Sequence, residues 1–334
     1  MPRRGRLHIP GACYHVIGRG LERRAIYRDD EDKQDFLLRL GENLSRYQAQ
    51  CLAWALMSNH YHFLVRVGAE PLGKIMAPAL CGFAGRYNRR HDRSGYVFQN
   101  RFTSILIDED SYLLELIRYI HLNPIRAGML ESRSELDQYP WTGHAGILGI
   151  RMQPWYAREA ALEVFSDIPT KRLRRYLEFI DAGVTTGASV SLTGGGVVRS
   201  YGGWENLARL RQVHQHCIGD ERILGGAEFV ERALNEDKLQ LDTRERLRTG
   251  GWTLETLISE VCERLHVSQI QLLGRSRQSD VSTAKALISF WSTSQLGCSS
   301  QEVANRLAIS QPAVSKWIRK GESLCSDRGW TLEP

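Results

Sequence analysis

The apolar patterns of the first 130 residues follow the order β-α-β-β-α-β-α, which predicts an α+β fold. The expectation is an antiparallel sheet with packed helices, followed by a small all-α helix-turn-helix domain. Three observations carry it. Runs rich in β-branched and aromatic residues alternate with segments of helical apolar period. Two of the strand-like runs are adjacent. Residues 252–320 read as helix throughout.

Residues 12–19 form the first strand-like run. Residues 29–48 open with Asp29, Asp30, Glu31 and Asp32, which complement a helix dipole, and continue with Phe36, Leu37, Leu40 and Leu44 at helical spacing. Residues 50–67 hold two apolar runs around Met57-Ser58-Asn59 and read as a hairpin. A helix is expected over 72–91, with Met76, Leu80, Phe83 and Tyr87 on one stripe, and a strand over 96–107. The next helix covers 110–122 and is expected to stop before Pro124, because the residue ahead of a proline disfavours helical geometry. Residues 183–203 are rich in Gly, Ser and Thr and read as a loop or linker. Gly194-Gly195-Gly196 lacks the Lys-Ser/Thr of a phosphate loop, so nucleotide binding is not expected there.

The 334 residues, 42% hydrophobic and 25% charged, have the proportions of a soluble globular protein of two or three domains. No apolar run approaches the roughly 20 residues that span a bilayer. No apolar stretch follows the basic N-terminus, so the expected location is the cytoplasm, with no membrane partner. The 7 cysteines are scattered without a Cys-x-x-Cys pair, which argues against a disulfide framework or a thiolate zinc site. Residues 1–130 hold 19 Lys and Arg against 13 Asp and Glu, so the whole net charge of +6 lies there, mostly as arginine. Arginine clusters suit phosphate recognition.

His60-Tyr61-His62 lies in a strand-like run, so the two imidazoles share one face about 7 Å apart. Such a pair can chelate a divalent metal if a third ligand arrives, and it can equally be two satisfied polar residues. On the helix after residue 110, Tyr112, Tyr119 and Asn123 form one stripe, and Leu113, Leu116, Ile117 and Ile120 make the apolar face. Tyr119 and Asn123 could bring a nucleophile and a ligand to one metal. Taken alone, they read better as a packing tyrosine and a helix cap before Pro124.

Three motifs in order change that reading: His60-Tyr-His62, then Gly95-Tyr-Val-Phe-Gln-Asn-Arg-Phe102, then Tyr119-Ile-His-Leu-Asn-Pro-Ile-Arg-Ala-Gly128. Together they resemble the REP-associated tyrosine transposases of the HUH superfamily, named for a His-hydrophobic-His pair. The similarity extends through Pro10-Gly-Ala-Cys-Tyr-His-Val16, Tyr139-Pro-Trp-Thr142 and Gly219-Asp-Glu-Arg-Ile-Leu-Gly225, touching most of residues 1–235. It implies a ferredoxin-like HUH nuclease fold. It makes His60 and His62 the metal-binding pair, Tyr119 the catalytic tyrosine, and Asn123 the residue completing the metal site, where other single-tyrosine transposases commonly carry Gln. His121, two residues from Tyr119, falls on the other side of the helix.

The resemblance implies a Mg²⁺ or Mn²⁺ cofactor and a single-stranded or hairpin DNA substrate. Phenols ionise only near about pH 10, so a tyrosine nucleophile needs help at neutral pH, which a bound cation supplies by withdrawing charge from the phosphate. The implied reaction leaves a 5′-phosphotyrosyl link and a free 3′-OH, and conserves the bond for rejoining. Arg86, Arg89, Arg90 and Arg93, with Tyr87 and Tyr96, fit a strand-binding groove. Gln99 and Arg101 lie in the second motif and are expected DNA contacts. The rival readings are a catalytically silent DNA-binding regulator on the same fold and a histidine metallohydrolase of small substrates. The intact set of His60, His62, Tyr119 and Asn123 argues against the first. The lack of a His-Glu-x-x-His or Asp-rich set argues against the second.

Residues 299–320 follow a helix-turn-helix pattern, with Val303, Ala304, Leu307, Ile309, Val314 and Ile318 as its core and Ser310 as the cap of the second helix. Gln311, Ser315, Lys316 and Arg319 then face outward, types that contact bases and phosphates. Residues 254–320 resemble the C-terminal DNA-binding domain of the bacterial replication initiator, through Leu272-Leu-Gly-Arg-Ser-Arg277 among others. The expected divisions are 1–130 (catalytic), 131–250 (a helical, loop-rich connector) and 251–334 (DNA-binding). The expected cellular setting is a bacterial nucleoid.

Overall fold

The computed structural model describes residues 6–185, 220–274 and 278–332. The chain packs as two compact units. The first opens with β1 (Cys13–Arg19), α1 (Asp30–Arg46), β2 (Gln50–Leu56), β3 (His60–Arg66), α2 (Leu72–Arg90), β4 (Thr103–Ile107) and α3 (Glu109–Arg126). The sheet order is β2-β3-β1-β4, all antiparallel, the split β-α-β arrangement of ferredoxin-like folds. A short β5 (Ile223–Leu224) adds in parallel beside β4, so the expected antiparallel sheet gains a parallel edge from far along the chain.

Alternation assigns the faces. Cys13, His15, Ile17 and Arg19 on β1 share a face with His60, His62, Leu64 and Arg66 on β3. Tyr14, Val16, Tyr61, Phe63 and Val65 point the other way, where the rings of Phe36 on α1 and Phe83 on α2 close the core; Phe36 lies 5.1 Å from Tyr61 and 5.2 Å from Phe83. Helix α3 covers the histidine face, packing on β2 and β3, with Leu113, Leu116, Ile117 and Ile120 buried.

Three local expectations are corrected. Residues 96–102 do not extend β4. Phe98 instead bridges to Gly20, and the Gln99 N–H donates to the Arg19 carbonyl at 2.9 Å, so the segment hooks over the end of β1. Alternating apolar residues read alike in a strand and in such a hook. Helix α3 does not stop before Pro124 but runs to Arg126. A proline so near the end forfeits a single ladder bond, and the Ala127 N–H still reaches the Asn123 carbonyl at 2.9 Å. Gly183 is not linker. It lies in a helix, Pro169–Thr185, where a Cβ would sit 2.4 Å from Arg118 Cδ and 2.8 Å from Leu122 Cδ1 of α3. The rest of that glycine-rich stretch, 186–203, falls outside the described residues.

Between α3 and that glycine-bearing helix come α4 (Arg133–Gln138), α5 (Gly143–Ile147) and α6 (Arg158–Glu163), so Pro169–Thr185 is α7. A buried chain of polar groups ties α3 to these elements. The Tyr176 hydroxyl bonds His121 Nδ1, at 2.9 Å, and His144 Nδ1, while His144 Nε2 lies 2.7 Å from Asp137. Both imidazoles are held neutral. Burial, then the neighbouring His144, pushes His121 well below the usual histidine range. Burial, then the Arg133 guanidinium, pushes His144 down to about 3.

Helix α8 (Ala227–Thr249) leads from the first unit into the second, Leu234–Pro334, which also takes in Arg46–Gln48 and Gly68–Pro71. The second unit continues with α9 (Leu254–Arg264), α10 (Gln269–Leu273), α11 (Ser279–Ser294), α12 (Ser300–Arg306) and α13 (Gln311–Arg328). Thr253, Ser268 and Ser299 each close a capping box, worth about 1 kcal/mol apiece. The core gathers Leu257, Leu272, Leu287, Trp291, Val303, Leu307, Val314 and Ile318, with Ile309 packed at its edge. Ser310 does occupy the N-cap position of α13, but its side chain makes no capping bond. No helix among the described residues is long and apolar enough to cross a membrane.

Two outcomes follow from this packing. A Cβ on Gly321 would meet the Ala286 backbone oxygen at 2.3 Å, and a backbone oxygen cannot step aside; Gly321→Ala should therefore cost the second unit about 1–3 kcal/mol, read by chemical denaturation. For His121 and His144 the unfolded chain binds protons that the folded one refuses. Acidification below the unfolded value of about 6.5 should erode the stability of the first unit, and the erosion should continue toward His144's folded value of about 3. Denaturant midpoints between pH 7 and pH 5 check this, and His144→Phe should flatten the slope.

Candidate active site

The strand register that separates the two faces also assembles the site. His60 and His62 stand on the face that α3 covers, with ring centroids 5.1 Å apart and nearly perpendicular at 83°. Tyr119 meets His62 edge-on, centroids 5.7 Å apart at 89°, and lies 6.2 Å from His15. One turn further, Asn123 is 8% exposed, and its Nδ2 finds no hydrogen-bond partner. Because α3 continues past Pro124, Arg126 stays on the stripe of Tyr119 and Asn123, and its guanidinium carbon lies 5.8 Å from the Tyr119 ring centroid. Ring contacts thus link His60, His62 and Tyr119, and Asn123 lies one helical turn beyond Tyr119.

Hydrogen bonds decide what the imidazoles can offer. Asn59 Nδ2 donates to the Arg23 carbonyl at 2.9 Å, which fixes the amide so that Oδ1 faces His60 Nδ1 at 2.7 Å. An amide oxygen only accepts, so His60 carries its proton on Nδ1 and keeps a lone pair on Nε2. His62 Nδ1 shares a proton with His15 Nε2 across 2.9 Å, and the two rings stack at 23°. Burial, then the Arg19 charge, lowers His60 to about 4. Burial, followed by His15, His60 and Arg19, holds His62 well below its usual range. Both side chains are therefore neutral at physiological pH, the form that binds metals.

No trio of His, Cys, Asp and Glu among the described residues is arranged to hold a metal. The available donors are two imidazoles and an amide. A turn of the Asn123 amide exchanges its unpartnered nitrogen for an oxygen at little steric cost, so the position can offer an oxygen ligand. Such a thin set fits a hard divalent cation that completes its shell with phosphate oxygens and water.

The expected DNA contacts are placed differently from one another. Gln99 is exposed and bonded through its backbone to Arg19, which stands opposite His60 in the β1–β3 register, so it shares the end of the sheet that carries His60. Arg101 is exposed nearby in sequence. Arg86, Arg89 and Arg90 belong to α2, on the opposite sheet face from Tyr119. Arg86 is paired with Glu31 and Asp35, and Arg90 with Asp29, Glu31 and Asp32. Arg89 is exposed, and Arg93 lies 5.4 Å over the Tyr87 ring. In the second unit Lys316 and Arg319 are exposed on α13, Ser315 is partly so, and Gln311 donates to Ser300 Oγ at 3.3 Å. His15, Arg19 and Arg126 were missed. The strand register of the first two and the stripe of the third, had the helix not been ended at Pro124, were the signals available.

Comparison with known proteins finds three similarities. Residues 9–123 match the family model described as "Transposase IS200 like". The C-terminal region is similar to the chromosomal replication initiator protein DnaA of Pseudothermotoga lettingae, 28% identical over 129 residues, covering 39% of this chain and only 28% of the initiator's length. Among solved structures, a REP-associated tyrosine transposase bound to a REP hairpin aligns with a TM-score of 0.37 and 14% identity, covering 46% of this chain and 89% of that one. The segment matched by the family model, about a third of the chain, spans β1 through the turn of α3 that carries Tyr119 and Asn123, so this part of the protein is similar to the IS200-like transposases.

Proposed function

We propose that the protein is a metal-dependent single-stranded DNA endonuclease and strand transferase that acts at hairpin-associated sites through a 5′-phosphotyrosyl intermediate. The observation that carries this is the edge-on contact of Tyr119 from α3 with His62 from β3, with His60 beside His62 and Asn123 one turn beyond Tyr119, inside a segment that matches a transposase family. His60 Nε2, His62 Nε2 and the Asn123 amide oxygen would hold Mg²⁺ or Mn²⁺, which when bound polarises the scissile phosphate and offsets its developing charge. Tyr119 Oη attacks phosphorus; the Oη–P bond forms, the P–O3′ bond breaks, and the phenolic proton ends on the departing 3′ oxygen. The 5′ phosphate stays on the enzyme. A second 3′-OH can reverse the step without an external energy source.

In this reading Arg89, Arg93, Gln99 and Arg101 contact the strand, while Arg86 and Arg90 must leave the acids of α1 to do so. Gln311, Ser315, Lys316 and Arg319 bind duplex DNA from the helix-turn-helix of α12 and α13, which the similarity to a replication initiator supports. Residues 1–130 are then the catalytic part, 131–250 a connector and 251–334 the DNA-binding part. The setting is the nucleoid of a bacterial cytoplasm.

Labelled hairpin DNA incubated with the protein and Mn²⁺ should yield an adduct that survives SDS. Tyr119→Phe or EDTA should abolish it, and Asn123→Ala should cut its rate about 10- to 100-fold. Hairpin binding without an adduct in the wild type, over a broad hairpin panel, would instead establish the silent regulator. Lys316→Ala or Arg319→Ala should weaken duplex binding uniformly across sequences and lower the slope of log K against log salt by about 1.

A further inference from the structure

Every metal site needs its imidazoles in one tautomer, and His60 has Asn59 to enforce it. His62 has no carboxylate or carbonyl in that role. Its Nδ1 faces another imidazole, Nε2 of His15, at 2.9 Å. Only one of the two nitrogens carries the shared proton, and the choice has opposite consequences. If His62 Nδ1 donates, its Nε2 keeps a lone pair free for a ligand bond. If His15 Nε2 donates, His62 must carry its own proton on Nε2 and cannot be a ligand.

We propose that His15 is a positioning residue whose Nε2 accepts the His62 Nδ1 proton and thereby holds His62 in its metal-binding tautomer and orientation. The inference rests on the reading of His60, His62 and Asn123 as the cation's ligands. Several features support it independently. His15 lies diagonally from His62 on the same sheet face, because its direct partner on β3 is Leu64 and that of His62 is Ile17. The rings stack with centroids 5.1 Å apart at 23°, which fixes the plane of His62 as well as its proton. His15 is 6% and His62 4% exposed, so water does not compete for the bond. His15 also meets the Tyr119 ring edge-on at 79°, so the residue that orients the ligand borders the nucleophile too. Hydrogen bonds of this kind to a ligating histidine set both its tautomer and its basicity.

Two measurements on the full chain test it. In metal-free wild type, long-range proton–nitrogen NMR of ring-labelled histidine should show His62 protonated on Nδ1; an Nε2–H tautomer would overturn the proposal. Mn²⁺ titration, followed by the loss of its free EPR signal, should show a site that disappears in His62→Ala. His15→Phe, which keeps a ring and removes the acceptor, should weaken that site about 10- to 100-fold. His15→Gln, whose carbonyl oxygen can accept the same proton, should recover most of the affinity. Wild-type affinity in folded His15→Phe overturns the role of His15 while leaving the metal site standing. Mn²⁺ binding that ignores His62→Ala removes the metal-site reading, and this proposal with it. Should His15→Phe fail to fold, the wild-type tautomer still decides.

Discussion

The antiparallel register of β1 against β3 is the constraint on which the rest of the first unit depends. It pairs Arg19 with His60 and Ile17 with His62, and so selects which side chains share a face. Sliding the pairing by one residue would turn His60 and His62 into the aromatic core beneath α1 and α2 and bring Tyr61 up beside Tyr119. Large rings resist such a slip. Tyr61 and Phe63 pack around Phe36, which in turn meets Phe83, and those contacts hold the register at the hydrophobic face while the polar face does chemistry. Packing on one side of the sheet thus fixes the ligand geometry on the other.

Helix α3 is the second requirement, and its anchoring is layered. Leu113, Leu116, Ile117 and Ile120 bury its apolar stripe, the Glu109 carboxylate pairs with Arg66 at its start, and His121 reaches into the Tyr176–His144 chain behind it. These anchors leave Tyr119 against His62 and His15, with Asn123 and Arg126 on its stripe. Neutral imidazoles follow from burial and from the Arg19 charge. The Arg19 charge beside two neutral histidines suits an anionic guest that brings its own charge, as a phosphodiester does.

Arginine distribution shows what composition leaves out. The charge excess of the first 130 residues pointed to a groove built from α2, yet Arg86 and Arg90 meet the acids that open α1. Those acids had been read as helix-dipole partners, and they do lie in the first turn. A linear sequence does not say that two helices lie side by side, so it could not say that one helix's acids would engage the next helix's bases. The exposed residues near the hooked segment 96–102, Gln99 and Arg101, are closer in topology to the histidines.

The amino-acid order by itself determined most of the secondary-structure succession and the apolar residues that pack the core of residues 299–320, because apolar period is a local property; the ferredoxin-like expectation came from the motif resemblance. Spacing made His60 and His62, and Tyr119 and Asn123, neighbours within their own elements; it was the resemblance of three ordered motifs to a transposase family that singled them out as a candidate site. Tertiary structure decided what no local rule contains. It chose the sheet face, carried α3 through Pro124 so that Arg126 joined the site, turned Gly183 from presumed linker into a helix contact, and set His15 against His62. Each of these depends on residues far apart in the chain, where contact follows from strand register and from which helix covers which face.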